Sequence, residues 1–579
     1  MLSQIRVYLT ALDVNVTSEL MRPEPKPTLA AWIVRSPPAI FSAALFALIF
    51  GGVSAAAQES AAIVTEPPNI VFIIADDLSW AHLGAYGSDE VRTPNLDRLA
   101  REGVVFENAF VSTPSCTPSR ASILTGRNGF ELEEGATLWG YLPARFATWT
   151  ELLAQHGYRV GATGKGWAPG FLVDREVNPA GRPWNGIRNR PYGDRFEELQ
   201  MSDIDYAANF EAFLDAADET RPFSFWMGTF EPHRGYTEGV AAALGIDSAA
   251  VTVPPFMPDA DEVRDDIAEY YAEIEYIDAQ AGRVMEALER RGLQDNTIVV
   301  FTSDNGMPFP RAKATLYDYG TRMPLLFWWG DNIAGGRRIE NLVSLTDIAP
   351  TLLEFAGLEF AGLEFAGIEA QAVMSGQSLA PLLIPGRPGL PAREAVYMYR
   401  ERHGFYPDSG GMSYPSRAIR THDHLLIWNA RPDAIPLDVD GGPARTFMEE
   451  NAEEYPSLHA LSFGPRSEYE LYDVRADAWQ MRNLAEDGAY AELLESLGDR
   501  LFGYLESRQD PRMLGRAEEF LFAPYFGVVF GDGLLRWTPE QQGQEMSFDE
   551  RRELLRRAFT MIGEEAFFRR MISEQDGRL

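Results

Sequence analysis

Cysteine and lysine are the residues this chain most nearly does without. Its 579 residues include one cysteine, Cys116, and three lysines, Lys26, Lys165 and Lys313, against 48 arginines. A lone cysteine excludes an intrachain disulfide and the zinc sites built on Cys-x-x-Cys pairs. Basic charge is short overall, since 51 Lys and Arg face 85 Asp and Glu for a formal net charge of −34. A field of that sign argues against nucleic acid and anionic lipid as partners. An anionic substrate would therefore need a local basic pocket. Apolar and aromatic residues are plentiful, at 45% and 12%, which excludes wholesale disorder and allows a large core. The length predicts two or three domains.

Long apolar runs are also scarce. IFSAALFALIFGGV (40–53) has 14 residues, fewer than the roughly 20 that span a bilayer. Arg22, Lys26 and Arg35 precede it and Ala55-Ala56-Ala57 follows. This pattern predicts a signal peptide over 1–57, cut after Ala57, with Met21 as the natural start. The mature chain is then exported, periplasmic or secreted, with no stable membrane anchor. It keeps Lys165 and Lys313 as its only lysines and carries a net charge of −35.

From about residue 66 strands and helices alternate. NIVFIIA (69–75), YRVGATG (158–164), PFSFWMGTF (222–230) and NTIVVFTS (296–303) read as buried strands, and TPNLDRLAREG (93–103), ELLAQHG (151–157) and residues 265–292 as helices. The alternation predicts an α/β fold, with a mostly parallel sheet sandwiched by helices over 66–395. VYMYRER, SRAIRTHDHLLIWN (416–429) and SEYELYDV (467–474) lack crossover helices and predict a smaller antiparallel α+β domain over 396–505. Residues 506–579 read as a mostly helical extension, with helical apolar spacing in 551–562. LEFAG occurs three times over 353–367, a period of five that fits no solenoid and reads as a local duplication.

Ligands of open α/β sheets bind beyond the carboxyl ends of the strands. Those ends carry Asp76-Asp77, Asp304-Asn305, Lys165 and Glu231-Pro232-His233. Asp76, Asp77, Asp304 and Asn305 are oxygen donors suited to a hard cation such as Ca²⁺ or Mg²⁺; singly, each could equally be a turn or cap residue. TPSRASILTG (117–126) reads as a helix entered through Pro118, which puts Cys116 at its amino end and Arg120 one turn along. That end favours an anion or thiolate. A buried inert cysteine fits the composition as well.

Cys116-Thr117-Pro118-Ser119-Arg120, followed by Thr125-Gly126, resembles the signature of the formylglycine-dependent sulfatases. NIVFIIADD (69–77), TPNLDRLAREGVVFENAF (93–110), GYRVGATGKG (157–166) and FTSDNG (301–306) match the family in order. The resemblance covers roughly 68–515 and implies an alkaline phosphatase-like fold. FEPHRGY (230–236), 301–326, MSYPSRAIRTHDH (412–424) and YELYDVRADAWQMRNLA (469–485) resemble the sulfamidase branch, the N-sulfoglucosamine sulfohydrolases of heparan sulfate.

The resemblance implies that a maturation enzyme converts Cys116 to formylglycine (3-oxoalanine), whose hydrated form attacks sulfur with one hydroxyl and expels sulfate through the other. It assigns Asp76, Asp77, Asp304, Asn305 and the Cys116-derived oxygen to one Ca²⁺. Arg120 would hold the nucleophile, Lys165 and Lys313 would grip the sulfuryl oxygens, and His233 would protonate the leaving group. In a chain that prefers arginine, both mature lysines fall where a compact point charge is wanted. One position departs from the family. Many members read Gly-Lys-x-His, and here Trp167 replaces the histidine, which tryptophan cannot match as a base. His82, His403, His422 and His424 are candidate substitutes. Trp167, Arg188, Arg234, His403 and Arg417 are expected near a sulfated carbohydrate substrate, and Arg182, Arg188, Arg190 and Arg195 alternate with aromatics in the loop 181–196. A phosphonate or phosphate ester hydrolase, and an inactive glycan-binding homologue, remain as rival expectations.

Overall fold

The structure is a computed structural model that describes residues 66–188, 204–216, 220–358, 374–387, 392–403, 414–432, 434 and 440–521. The predicted signal peptide lies outside these residues. So do the second LEFAG copy after Leu358, the third copy, Arg190, Arg195 and the chain beyond 521. The first LEFAG copy ends the helix Ile348–Phe355, closing at Gly357 with φ 74°. Among the described residues, no helix is long and apolar enough to cross a membrane.

Strand β1 (Asn69–Ala75) is buried along its whole length. Its side chains alternate between two cores, with Val71, Ile73 and Ala75 entering one and Ile70, Phe72 and Ile74 the other. A strand apolar on both faces must be covered on both. On the first face lies the long helix Asp261–Arg290, which buries Ile267, Tyr270, Ile274, Ile277, Val284 and Leu288 at helical spacing. The other face is covered by the helices Cys116–Thr125, Trp149–Gln155 and Ile348–Phe355.

Around β1 lie β2 (Val104–Phe110), β3 (Arg159–Gly164), β4 (Arg182–Pro183), β5 (Phe223–Gly228), β6 (Thr297–Ser303), β7 (Arg322–Met323), β8 (Leu325–Trp328) and β9 (Arg337–Ser344). The order β4-β3-β5-β1-β6-β8-β2-β7, with β9 on β2, makes one sheet. From β4 to β6 every pairing is parallel. At β8 the direction reverses, and β2 and β7 add further antiparallel pairings. The sequence analysis assigns no strand to β2, β4 or β7–β9; the reversal at β8, with β9 parallel to β2, makes the sheet mixed along that edge.

A second sheet runs β10 (Val396–Arg400), β11 (Ser416–Arg420), β12 (His424–Asn429), β13 (Tyr469–Asp473), all antiparallel. One face packs on the helix Ala491–Ser507 through Leu497, Leu501 and Leu505. The other packs Val396, Met398, Ala418 and Ile427 on Phe110, Leu316, Tyr317 and Leu342. This second contact brings the loops of the small sheet to the strand ends of the large one.

Two glycines allow the close crossing at the ends of β3 and β5. Gly164 has φ 68°, and a methyl group on Gly228 would run into the backbone carbonyl of Lys165. Gly228→Ala is expected to destabilise the fold by about 2–3 kcal/mol, read as a lower midpoint in urea unfolding. A change within ~0.5 kcal/mol would show that the crossing yields freely.

Candidate active site

Strands β1 and β6 pair in register from Asn69↔Thr297 to Ala75↔Ser303. They end at one level, so Asp76-Asp77 and Asp304-Asn305 emerge side by side. Asp77 turns the chain with φ 74°; its N–H donates to Asp304 Oδ1 at 3.1 Å, and the Asn305 amide donates to Asp77 Oδ1 at 2.7 Å. All four side chains are buried.

The helix Cys116–Thr125 begins at Cys116 itself, two residues earlier than an entry through Pro118 would place it. Its cap residue Ser115 makes no side-chain bond to the helix. Instead the Ser115 hydroxyl meets His403 Nδ1 at 2.8 Å. Cys116 Sγ lies 3.9 Å from Asp77 Oδ1. Ligand atoms of Asp76, Asp77, Cys116 and Asp304 all fall within 4.8 Å of one another. Burial pushes the Cys116 thiol well up, Asp76 and Asp304 reinforce this, and Lys165 and Lys313 offset it only in part.

Three cations balance the carboxylates. Arg120 donates from Nε to Asp304 Oδ2 at 2.6 Å, reaches Asp76 at 3.3 Å and bonds the Lys165 carbonyl at 2.8 Å. The indole of Trp226 bonds that carbonyl too, at 3.0 Å, so Lys165 is held from behind. Its ammonium meets both oxygens of Asp76 at 2.6 Å. Burial raises the Asp76 carboxyl, but Lys165 and then Arg120 outweigh it and bring the group down to about 2. Lys313 Nζ bridges Asp77 Oδ2 and Asp440 Oδ2, both at 2.7 Å. Burial lowers the Lys313 ammonium, but Asp440 and Asp77 hold it well above its ordinary value. An ammonium has three donors, so each lysine keeps an N–H for a further acceptor.

His233 stands at the mouth, over a third exposed, with Nε2 3.8 Å from Asp77 Oδ2. Its Nδ1 donates to the Arg234 carbonyl at 2.5 Å, which leaves Nε2 to face the site.

The donor set fits a hard divalent cation. Asn305 Oδ1 is buried without a hydrogen-bond partner, which is costly unless a cation or donor meets it. Three carboxylates and this amide oxygen suit Ca²⁺ or Mg²⁺ better than a thiophilic metal.

Two of the expected substrate contacts need correction, and a third has a different place. Arg417 is fully buried between Glu401, at 2.8 Å, and Asp510, at 2.5 Å, with Arg512 on Glu401. Its guanidinium is committed to core carboxylates and faces no carbohydrate. Trp167 is 2% exposed and packs in the second core, so its ring is no sugar platform. Arg234 is tied in two bonds to Asp266, at 2.7 and 2.8 Å, and to the Pro308 carbonyl; it holds the loop next to His233. Arg188 is exposed and bridges to Ile204. Among the candidate substitutes for the missing histidine, His82 is buried against Tyr270 at 3.0 Å, and His424 begins β12, two residues after His422. His403 alone meets a residue adjoining Cys116. Burial and then Lys313 push His403 down to about 3, so it is neutral.

Sequence reasoning missed Ser115, Asp266 and Asp440. Asp440 lies in no periodic segment, and Asp266 is one of many acids on a long helix. Neither carries a local signal.

Carboxylates, lysines and a histidine thus gather at the strand ends of this sheet around a buried helix-end cysteine. The sulfatase family model matches residues 68–358, and the chain belongs to that family; it is a sulfuric ester hydrolase. Human N-sulphoglucosamine sulphohydrolase is 29% identical over 489 residues, spanning 77% of this chain and 91% of the relative. An ulvan-active sulfatase of Formosa agariphila is 27% identical over 488 residues, spanning 78% of this chain and 77% of its own. A solved structure of BT4656 with its substrate D-glucosamine-2-N,6-O-disulfate shares the fold, with TM-score 0.55 and 21% identity over 77% of this chain and 99% of that chain.

Two outcomes are expected. Arg417→Leu leaves two buried carboxylates short of a partner and should cost about 3–5 kcal/mol of stability with KM unchanged; a raised KM in folded protein would return Arg417 to the substrate. Ca²⁺ at about a hundredfold excess over its Kd should stabilise the wild type by about 2.7 kcal/mol, a rise of a few degrees in Tm. Asn305→Ala should lose most of that rise in a thermal melt.

Proposed function

We infer that the chain is an exported sulfatase that hydrolyses sulfate esters or sulfamates of a sulfated carbohydrate, of sulfamidase type. It acts through a formylglycine made from Cys116 by a maturation enzyme, with one Ca²⁺ held by Asp76, Asp77, Asp304, Asn305 and the oxygen at position 116. The observation that carries this reading is the convergence of Asp76, Asp77, Cys116 and Asp304 within 4.8 Å, bordered by Lys165 and Lys313. The identity to human N-sulphoglucosamine sulphohydrolase over nine-tenths of that protein supports the sulfamidase-type assignment.

Formylglycine supplies a geminal diol, which can attack sulfur and then release sulfate, whereas a serine would stop at its ester. The cation, when bound, lowers the cost of negative charge on the attacking oxygen. The chain's own residues do the rest. Arg120 offsets the carboxylates and fixes the Lys165 backbone. Lys165 and Lys313 use their remaining N–H donors on the sulfuryl oxygens, where charge grows in the transition state. As an imidazolium, His233 delivers a proton from Nε2 to the leaving atom, while its Nδ1–H stays on the Arg234 carbonyl and holds the ring in place. Burial of the acid-lysine pairs keeps water from screening them.

Protein made beside a maturation enzyme is expected to yield a Cys116 peptide lighter by the thiol-to-aldehyde difference and to hydrolyse a sulfated sugar. Cys116→Ala should remove at least a thousandfold of that activity. An unmodified thiol, beside a control sulfatase converted in the same host, would overturn the reading.

A further inference from the structure

Lys313 has two anionic partners, Asp77 and Asp440, each at 2.7 Å. Asp77 belongs to the proposed cation site, and Asp440 stands outside it. A carboxylate beside the sulfuryl group repels that group and attracts a proton-bearing or cationic atom of the substrate.

The side chain is also aimed. Ligand atoms of Asp440, Asp77 and His233 lie within 4.8 Å of one another, and the Asp440 side chain is one quarter exposed. It therefore opens to solvent on the side of the proposed proton donor. Its loop is braced by the residues that brace His233. Asp266 takes both terminal nitrogens of Arg234, next to His233, and accepts from the Ala444 N–H at 3.0 Å, four residues after Asp440. Gly442 lies so close to the Arg234 guanidinium that a side chain there would collide with it. One carboxylate on the long helix thus ties the His233 loop to the Asp440 loop.

We propose that Asp440 is a specificity-determining residue that receives the leaving nitrogen of a sulfamate, so that the site favours N-sulfated amino sugars over O-sulfate esters. The proposal rests on the sulfatase reading above and narrows its substrate class. In the step concerned the S–N bond breaks and its electron pair stays on nitrogen. The proton on His233 Nε2 passes to that nitrogen, giving an amine that takes a second proton from water. The product is an ammonium beside the Asp440 carboxylate. An ester releases a neutral alcohol from the same place and gains no such ion pair.

The test uses full-length protein whose formylglycine has been verified by mass. N-sulfo-D-glucosamine and 4-nitrophenyl sulfate are the substrates, and D-glucosamine and D-glucose are the competing ligands. Wild-type protein should bind glucosamine at least tenfold tighter than glucose, as inhibition of 4-nitrophenyl sulfate turnover, and Asp440→Asn should lose that preference. Asp440→Asn should lower kcat/KM on the sulfamate at least a hundredfold and on the ester less than tenfold. Asp440→Glu keeps the charge and should retain the glucosamine preference, which a misfolded variant would not. Equal losses on both substrates, or no preference for glucosamine in the wild type, would reduce Asp440 to a holder of Lys313 and overturn the proposal. Wild-type turnover of the ester without the sulfamate would overturn it and leave the sulfatase reading standing. Turnover of neither substrate, nor of other sulfated sugars, would overturn the sulfatase reading itself.

Discussion

The site depends on the register of one strand pair. Because Ala75 stands opposite Ser303, the two acidic pairs that follow leave the sheet at the same level and share one buried pocket. A slip of one residue would turn every side chain of the strand to the opposite core. Val71 and Ile73 on one face, Ile70 and Phe72 on the other, prevent that by packing into separate clusters. The hydrophobic core thereby sets the spacing of charged groups that it never touches.

Once three aspartates are buried together, the neighbouring residues are constrained. Isolated buried carboxylates would be prohibitively costly, and each here has its own cation: Lys165 for Asp76, Lys313 for Asp77 and Arg120 for Asp304. The choice of residue follows from reach and shape. Arg120 is fully buried and fills a fork of several acceptors, a carbonyl among them, which suits a planar guanidinium. The two lysines are compact charges on flexible stems and keep donors to spare. This accounts for a chain with 51 basic residues placing two of its three lysines, Lys165 and Lys313, at the same pocket.

The small sheet completes the pocket. Its packing on Phe110, Tyr317 and Leu342 brings His403 to Ser115, and the connection between β12 and β13 supplies Asp440 to Lys313. Its other face keeps an internal ion cluster, in which Arg417 and Arg512 neutralise Glu401 and Asp510. Arginines in one sheet region thus serve different ends, and their chemistry alone does not separate a binding arginine from a structural one.

The sequence by itself determined the elements that are purely local. β1, β3, β5 and β6 were legible because apolar runs end in charged or glycine-rich punctuation, and the strand-end rule then assembled Asp76, Asp77, Lys165, His233, Asp304 and Asn305. The resemblance to sulfatases added roles for Cys116, Arg120 and Lys313. β2, β4 and β7–β9 were not read as strands, because short or part-exposed segments take their direction from the neighbours they pair with. Only the tertiary structure decided which arginines are committed, that Trp167 is core, and that Asp440 and Ser115 belong to the site. The physical reason is distance along the chain. Asp440 lies 127 positions from the lysine it contacts and His403 lies 288 from Ser115, so packing of the two sheets made those neighbours, and no local pattern records it.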